Sequence, residues 1–159
     1  MTTTAVLVPR AAHRRSGDVM DERLKVAPRE GHAPPSAEDA VRVGVMRRIA
    51  GARLRYCGLE AMSDDVMLIV SELLTNAIQH SGTTEISLSI AVRGSCLRIA
   101  VRDGMPGAVQ PQHPDDTAES GRGLLLVGHL VHANGGRWGI SDAGAITWCC
   151  LPLPAGEQP

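Results

Sequence analysis

Glu72, Asn76 and His80 stand at i, i+4 and i+8 in a segment whose apolar residues recur at helical spacing. A helix there presents a carboxylate, an amide and an imidazole along one side. A carboxylate can move a proton, and with an amide oxygen one turn on it offers hard donors to a hydrated magnesium ion. The same spacing also fits the solvated face of an amphipathic helix. Asp103 continues the alternation of Leu97, Ile99 and Val101, which turns a second carboxylate toward the face those residues bury. A buried carboxylate needs a donor, either a backbone amide of the turn at Gly104 or a ligand amine such as that of a purine. Gly121-Arg122-Gly123 directly precedes a further helical segment, whose first amides lack internal partners and attract phosphate. Ordinary turns also produce Gly-x-Gly before a helix. Taken together, the three groups complement one another as a nucleotide site.

The elements that must position them follow from periodicity. Ser36 followed by Asp39 forms a capping signal, and Val41, Val45, Ile49 and Ala52 then recur at helical spacing up to the breaker at Gly58. Ser63 opens the second helix, with Val66, Ile69, Val70, Leu73, Ala77 and Ile78 as its apolar stripe and His80-Ser81-Gly82 as its stop. The period then changes to two. Ile86, Leu88, Ile90 and Val92, then Leu97, Ile99 and Val101, predict an antiparallel hairpin turning at Arg93-Gly94-Ser95. A long polar loop from Gly104 leads to a third helix over Leu124–Val131 that stops at Asn134-Gly135-Gly136. A second hairpin, residues 137–141 and 145–151, turns at Asp142-Ala143-Gly144. The order predicts an α+β two-layer sandwich, with helices packed on one face of a mixed, mainly antiparallel sheet. Residues 1–35, with Pro9, Pro28, Pro34 and Pro35 and no sustained apolar period, read as a disordered tail carrying at most a short helix over 18–26. Residues 36–154 form the domain, and 155–159 a C-terminal tail.

Composition removes several function classes. The chain of 159 residues carries 16 Lys+Arg against 17 Asp+Glu, so no global field holds a polyanion. Two Trp, one Tyr and no Phe leave no stacking platform for single strands, and direct nucleic-acid binding is not expected. No apolar run approaches the ~18 residues of a membrane span, and the default address is the cytoplasm. Cys57, Cys96, Cys149 and Cys150 show no Cys-x-x-Cys spacing and read as small core residues rather than a zinc or redox site. Cys149 and Cys150 point to opposite faces of their strand.

Three of these stretches resemble the boxes of the Bergerat-fold (GHKL) ATP-binding domain shared by anti-sigma factor kinases, histidine kinases, gyrase-type ATPases and heat-shock chaperones. Val70-Ser71-Glu72-Leu73-Leu74-Thr75-Asn76-Ala77-Ile78-Gln79-His80 is similar to its N box. Val101-Arg102-Asp103-Gly104-Met105-Pro106-Gly107 is similar to its first glycine box, and Gly121-Arg122-Gly123-Leu124-Leu125-Leu126-Val127 to its second. The resemblance spans residues 36–154 and looks closest to the small stand-alone anti-sigma regulatory serine/threonine-protein kinases of bacteria. It implies ATP and Mg²⁺ as cofactors. Asn76 would hold the Mg²⁺, Glu72 would orient or deprotonate the attacking hydroxyl, and Asp103 would accept from the adenine amine. The loop from Gly107 to Ser120 would be the ATP lid, and Gly121, Arg122, Gly123 and Leu124 would cradle the phosphates. His80 and Thr147 complete the implied nucleotide-binding set.

The sequence departs from the family pattern in places. Met105 occupies the middle glycine of the first glycine box. On the last strand Thr147 directly precedes Trp148, one position later than the family usually places it, so that Ile146 stands where the purine-facing hydroxyl is expected. Val131-His132-Ala133-Asn134-Gly135-Gly136-Arg137 looks more like histidine kinases, or is simply a helix ending in a glycine cap. The resemblance implies an ATP-dependent serine kinase and anti-sigma factor that switches between a sigma factor and an anti-sigma antagonist, with a homodimer as a further expectation. The alternative is a module of the same fold that sequesters a partner without phosphotransfer. A detached histidine kinase domain is disfavoured, because His13 lies among arginines and His32 beside prolines.

Overall fold

The computed structural model describes residues 16–27, 35–81, 84–103 and 120–154. Its elements run β1 (Ser16–Lys25), α1 (Ala37–Tyr56), α2 (Ser63–Ser81), β2 (Glu85–Arg93), β3 (Cys96–Arg102), α3 (Ser120–Ala133), β4 (Arg137–Ser141) and β5 (Ile146–Pro152). The five strands form one sheet in the order β1-β2-β3-β5-β4, and every pairing is antiparallel. The fold is therefore the expected α+β sandwich, with three helices on the sheet.

Alternation along the strands decides which face the helices cover. Ile86, Leu88, Ile90 and Val92 of β2, Leu97, Ile99 and Val101 of β3 and Cys149 and Leu151 of β5 are buried together with Val66, Ile69, Val70, Leu73 and Leu74 of α2. Each large side chain so removed from water contributes roughly 1.5–3 kcal/mol. The intervening residues lie on the other face, where the Arg98 guanidinium sits 6.0 Å from the Trp148 ring centroid. Cys149 and Cys150 divide between the two faces as their adjacency requires, and all four cysteines are free.

Burial, followed by the neighbouring Cys150 thiol, pushes the Cys149 thiol from 9.0 up to about 12. An unfolded chain releases that proton near pH 9 while the folded protein keeps it, so the contribution is complete below pH 9. It declines by up to about 4 kcal/mol as pH rises toward 12. Urea unfolding at pH 8 and pH 11 is therefore expected to show a smaller alkaline loss for Cys149→Val than for the wild type. Equal losses in the two proteins would refute the assignment.

Three differences from the sequence expectation have physical causes. Residues 16–25, read as part of a disordered tail, form the edge strand β1. Met20 and Leu24 are buried on the helix side and Glu22 between them is not, while an irregularity between Asp18 and Met20 breaks the period and hid the strand. On α1 the buried residues are Asp39, Val43, Ala50, Gly51 and Leu54, so of the expected stripe only Ile49 packs against the core, while Val41, Val45 and Ala52 are exposed, Val41 at 65%. The side chain of Asp39, 0% exposed, explains how a polar residue takes the inner face: Oδ1 accepts from Arg42 Nη1 at 3.1 Å and from the Ala27 amide at 3.4 Å, fastening the end of β1 to α1. Finally, α3 begins at Ser120, which places Gly121-Arg122-Gly123 inside its first turn rather than before it. Elsewhere the expected boundaries hold; Ser36 caps α1 by accepting from the Asp39 amide at 3.1 Å.

Candidate nucleotide site

Helix α2 runs through the middle of the molecule, and its inner residues Leu73, Leu74, Ala77 and Ile78 are all buried. That anchorage fixes the rotation of the helix and with it the direction of the polar stripe. Asn76 is buried at 8% exposure, and Glu72 and His80, one turn to either side, are half-buried. The stripe is therefore not the solvated face that the spacing alone also allowed.

Glu72 meets the second element of the site directly. A Cβ built on Gly123 would lie 2.6 Å from Glu72 Oε2. The carboxylate thus rests against the first turn of α3, where backbone N–H groups have no partner inside the helix. Only glycine leaves it that space. Sequence spacing marked Glu72 and Gly123 separately; their adjacency depends on how α2 and α3 pack and has no local signal. In the same turn Arg122 is exposed, whereas Leu124 is half-buried and packs against the core.

Asp103 follows the last residue of β3 and is buried at 3% exposure, on the face that the alternation assigned to it. Its amide donates to the Ala145 carbonyl at 3.0 Å, which holds the strand end against the turn before β5. That turn carries positive φ at Asp142 (55°), Ala143 (54°) and Gly144 (97°), and Arg102 Nη1 donates to Asp142 Oδ2 at 2.9 Å, fastening it from the other face. Thr147 pairs with Val101 and is 8% exposed, so its side chain shares the face of Asp103. Ile146 pairs with Arg102 on the opposite face. The register thus gives the inward position to the hydroxyl and not to Ile146. Gly107 and the remainder of the expected lid up to residue 119 lie outside the described residues.

The donor chemistry suits magnesium. Asn76 and Glu72 place oxygen atoms one turn apart, and magnesium is commonly held by one or two such protein groups with substrate phosphates and waters filling the octahedron. Among the described residues no group of three or more His, Cys, Asp or Glu could hold a metal ion.

The family model described as histidine kinase-like ATPase domain matches residues 35–145. The chain belongs to that family. As a histidine kinase-like ATPase domain it is an ATP-binding, kinase-like module, and β1, outside the matched span, extends the sheet at its edge. A similar protein is blue-light-activated histidine kinase 2 of Erythrobacter litoralis (strain HTCC2594), 32% identical over 97 residues, 57% of this chain and 27% of that protein. The chain therefore corresponds to about a quarter of that relative's length. A solved structure, the histidine kinase domain of the Erythrobacter litoralis EL346 blue-light activated histidine kinase, aligns with a TM-score of 0.48 and 22% identity. The alignment covers 84% of this chain and 66% of that one. No helix among the described residues is long and apolar enough to cross a membrane.

Proposed function

We propose that this histidine kinase-like ATPase domain works as a cytoplasmic anti-sigma factor with serine-protein kinase activity. It would hold a sigma factor until an anti-sigma antagonist displaces it, and phosphorylate that antagonist on serine. The observation that carries the catalytic part is the position of Glu72: a half-buried carboxylate against the first turn of α3, one turn from the buried amide of Asn76. The resemblance of the three boxes to the anti-sigma regulatory kinases supplies the partner class.

In this reading each residue has one task. Asp103 accepts from the adenine amine, and the Thr147 hydroxyl on the same face of the sheet assists from β5. Gly121, Arg122, Gly123 and Leu124 at the start of α3 cradle the phosphates, with the amides of Gly121 and Arg122 lacking acceptors inside the helix. Asn76 holds Mg²⁺, which when bound neutralises charge on the transferring phosphoryl group. His80 borders the nucleotide at the far end of the stripe. Glu72 accepts the proton of the antagonist's serine as its oxygen bonds to the γ-phosphorus and the bond to ADP breaks. Positioning and charge neutralisation do most of the work in such a transfer. A homodimer belongs to this reading through the family resemblance alone.

The test is transfer of label from γ-labelled ATP to a purified antagonist in the presence of Mg²⁺. Label is expected on an antagonist serine with the wild type and not with Asn76→Ala. Binding of ATP without transfer would replace the kinase by the sequestering module. Absence of ATP binding would remove both.

A further inference from the structure

We propose that Cys96 and Cys150 form a two-thiolate site for a soft monovalent cation, Cu(I), on the sheet face away from the helices and independent of the nucleotide site. The strand register places the pair. Cys96 lies opposite Pro152 and Arg98 opposite Cys150, so the two free, half-buried thiols are diagonal neighbours across β3 and β5. The Leu153 amide donates to the Ser95 carbonyl at 2.8 Å and the Asp103 amide to that of Ala145 at 3.0 Å, which makes the odd-numbered residues of β3 its hydrogen-bonded positions. Cys96 and Arg98 therefore stand at the alternate positions, where facing side chains come closer together. Which diagonal closes is visible one step along the same ladder. Arg98 reaches Trp148, two residues before its own partner Cys150, with the guanidinium 6.0 Å from the ring centroid. Cys150 stands in that same relation to Cys96, two residues before Pro152. Burial raises the Cys150 thiol above its ordinary value and Cys96 raises it further, while Arg98 and Arg137 act the other way.

Spacing then selects the ligand. Diagonal neighbours on one sheet face sit about 7–8 Å apart, against about 4.4–6.8 Å between the α-carbons of a disulfide. A sulfur–sulfur bond would require the strands to move, whereas one atom seated between the two sulfurs would not. Thiolate ligands favour soft ions, and Cu(I) is satisfied by two of them in a line. Zinc takes four donors, and among the described residues no further His, Cys, Asp or Glu completes a group of three around this pair. Charge agrees with the choice. Both thiols give up their protons on binding, so Cu(I) with two thiolates carries one net negative charge. Arg98 and Arg137 lie directly opposite Cys150 on its two neighbouring strands and face that charge from either side.

The experiment titrates the reduced full chain with Cu(I), held reduced by ascorbate in the absence of oxygen, in competition with a chromophoric Cu(I) chelator. The wild type is expected to withdraw one ion per chain. Cys96→Ser and Cys150→Ser should each lose that complex, while Cys57→Ser and Cys149→Val keep it. Arg98→Gln retains both thiols and should weaken the Kd about tenfold, the size of one unit charge a few ångströms away in a partly exposed setting. Unfolding midpoints without Cu(I) should stay near that of the wild type for the two serine variants of the pair, which separates loss of the ligand from loss of the fold. Zn²⁺ in place of Cu(I) should be held far more weakly. A complex that survives Cys96→Ser or Cys150→Ser, or that Cys57→Ser abolishes equally, would overturn the inference, as would Zn²⁺ binding as tight as that of Cu(I).

Discussion

Gly136→Ala is expected to destabilise the protein by about 3 kcal/mol, while Gly135→Ala one residue earlier is expected to cost about 1 kcal/mol. The two glycines close α3 together. The Gly136 amide donates to the Val131 carbonyl at 2.8 Å and the Gly135 amide to His132 at 2.9 Å, the paired bonds of a Schellman ending, with Gly135 at φ 72°. At Gly135 nothing lies within 4 Å of an added Cβ, so alanine meets only the backbone preference against positive φ. At Gly136 the added Cβ falls on the carbonyl oxygen of Cys150, in the strand that β4 must pair with to complete the sheet. A backbone oxygen held in a ladder cannot rotate aside. Either the α3–β4 connection shifts or the β4–β5 pairing opens, and both disturb the wall on which α3 rests. Thermal unfolding should show the Gly136→Ala midpoint lower by roughly 6–12 °C, at 2–4 °C per kcal/mol for a domain of this size. A midpoint within a degree of wild type would show that the carbonyl has room to give.

That glycine pair also shows what could be read from the chain without coordinates. Asn134-Gly135-Gly136 announces a helix end, because a left-handed residue after the last turn is a local requirement that glycine meets best. That Gly136 must also clear Cys150 is a contact between remote segments, and no local pattern encodes it. The same division runs through the fold. The hairpin of β2 and β3 was legible because one face is buried and the other is not, and Asp103 inherited its inward direction from that period. Strand β1 was not, since its irregularity between Asp18 and Met20 shifts the alternation and charged residues at an edge resemble a solvated tail. Helix α1 misled differently. Two sides of it carry apolar residues: of the expected stripe Val41, Val45 and Ala52 are exposed, while Val43, Met46, Ala50 and Leu54, at i, i+3, i+7 and i+11, face the core. The inner side contains Asp39, whose burial is intelligible only with Arg42 and the Ala27 amide beside it. For the site, residue types and order marked Glu72, Asn76, Asp103 and Gly123. Packing of α2 on α3 supplied the contact between Glu72 and Gly123, and the β3–β5 register supplied the inward direction of Thr147.

Glu72→Ala is expected to lower phosphotransfer to the antagonist by about 10²–10⁴-fold while Mg²⁺-ATP remains bound, the range typical of losing a positioned general base. The side chain is only half-buried and the Leu73, Leu74 and Ala77 face that holds α2 in place is untouched, so the fold should survive the change. A second variant reaches the same carboxylate from the other side. In Gly123→Ala the new methyl group would displace Glu72 Oε2, the far end of a flexible side chain, and nothing in the backbone need move. If Glu72 acts by where its carboxylate rests, Gly123→Ala should lose much of the transfer rate at an unfolding midpoint near that of the wild type, and combining it with Glu72→Ala should add little. Such non-additivity is the mark of two residues serving one function. Independent losses that multiply in the double variant would mean that Gly123 serves the phosphates alone and that its contact with Glu72 is incidental. The contrast with Gly136 is then a matter of what the missing Cβ would have struck: a carboxylate able to swing away, or a strand that cannot.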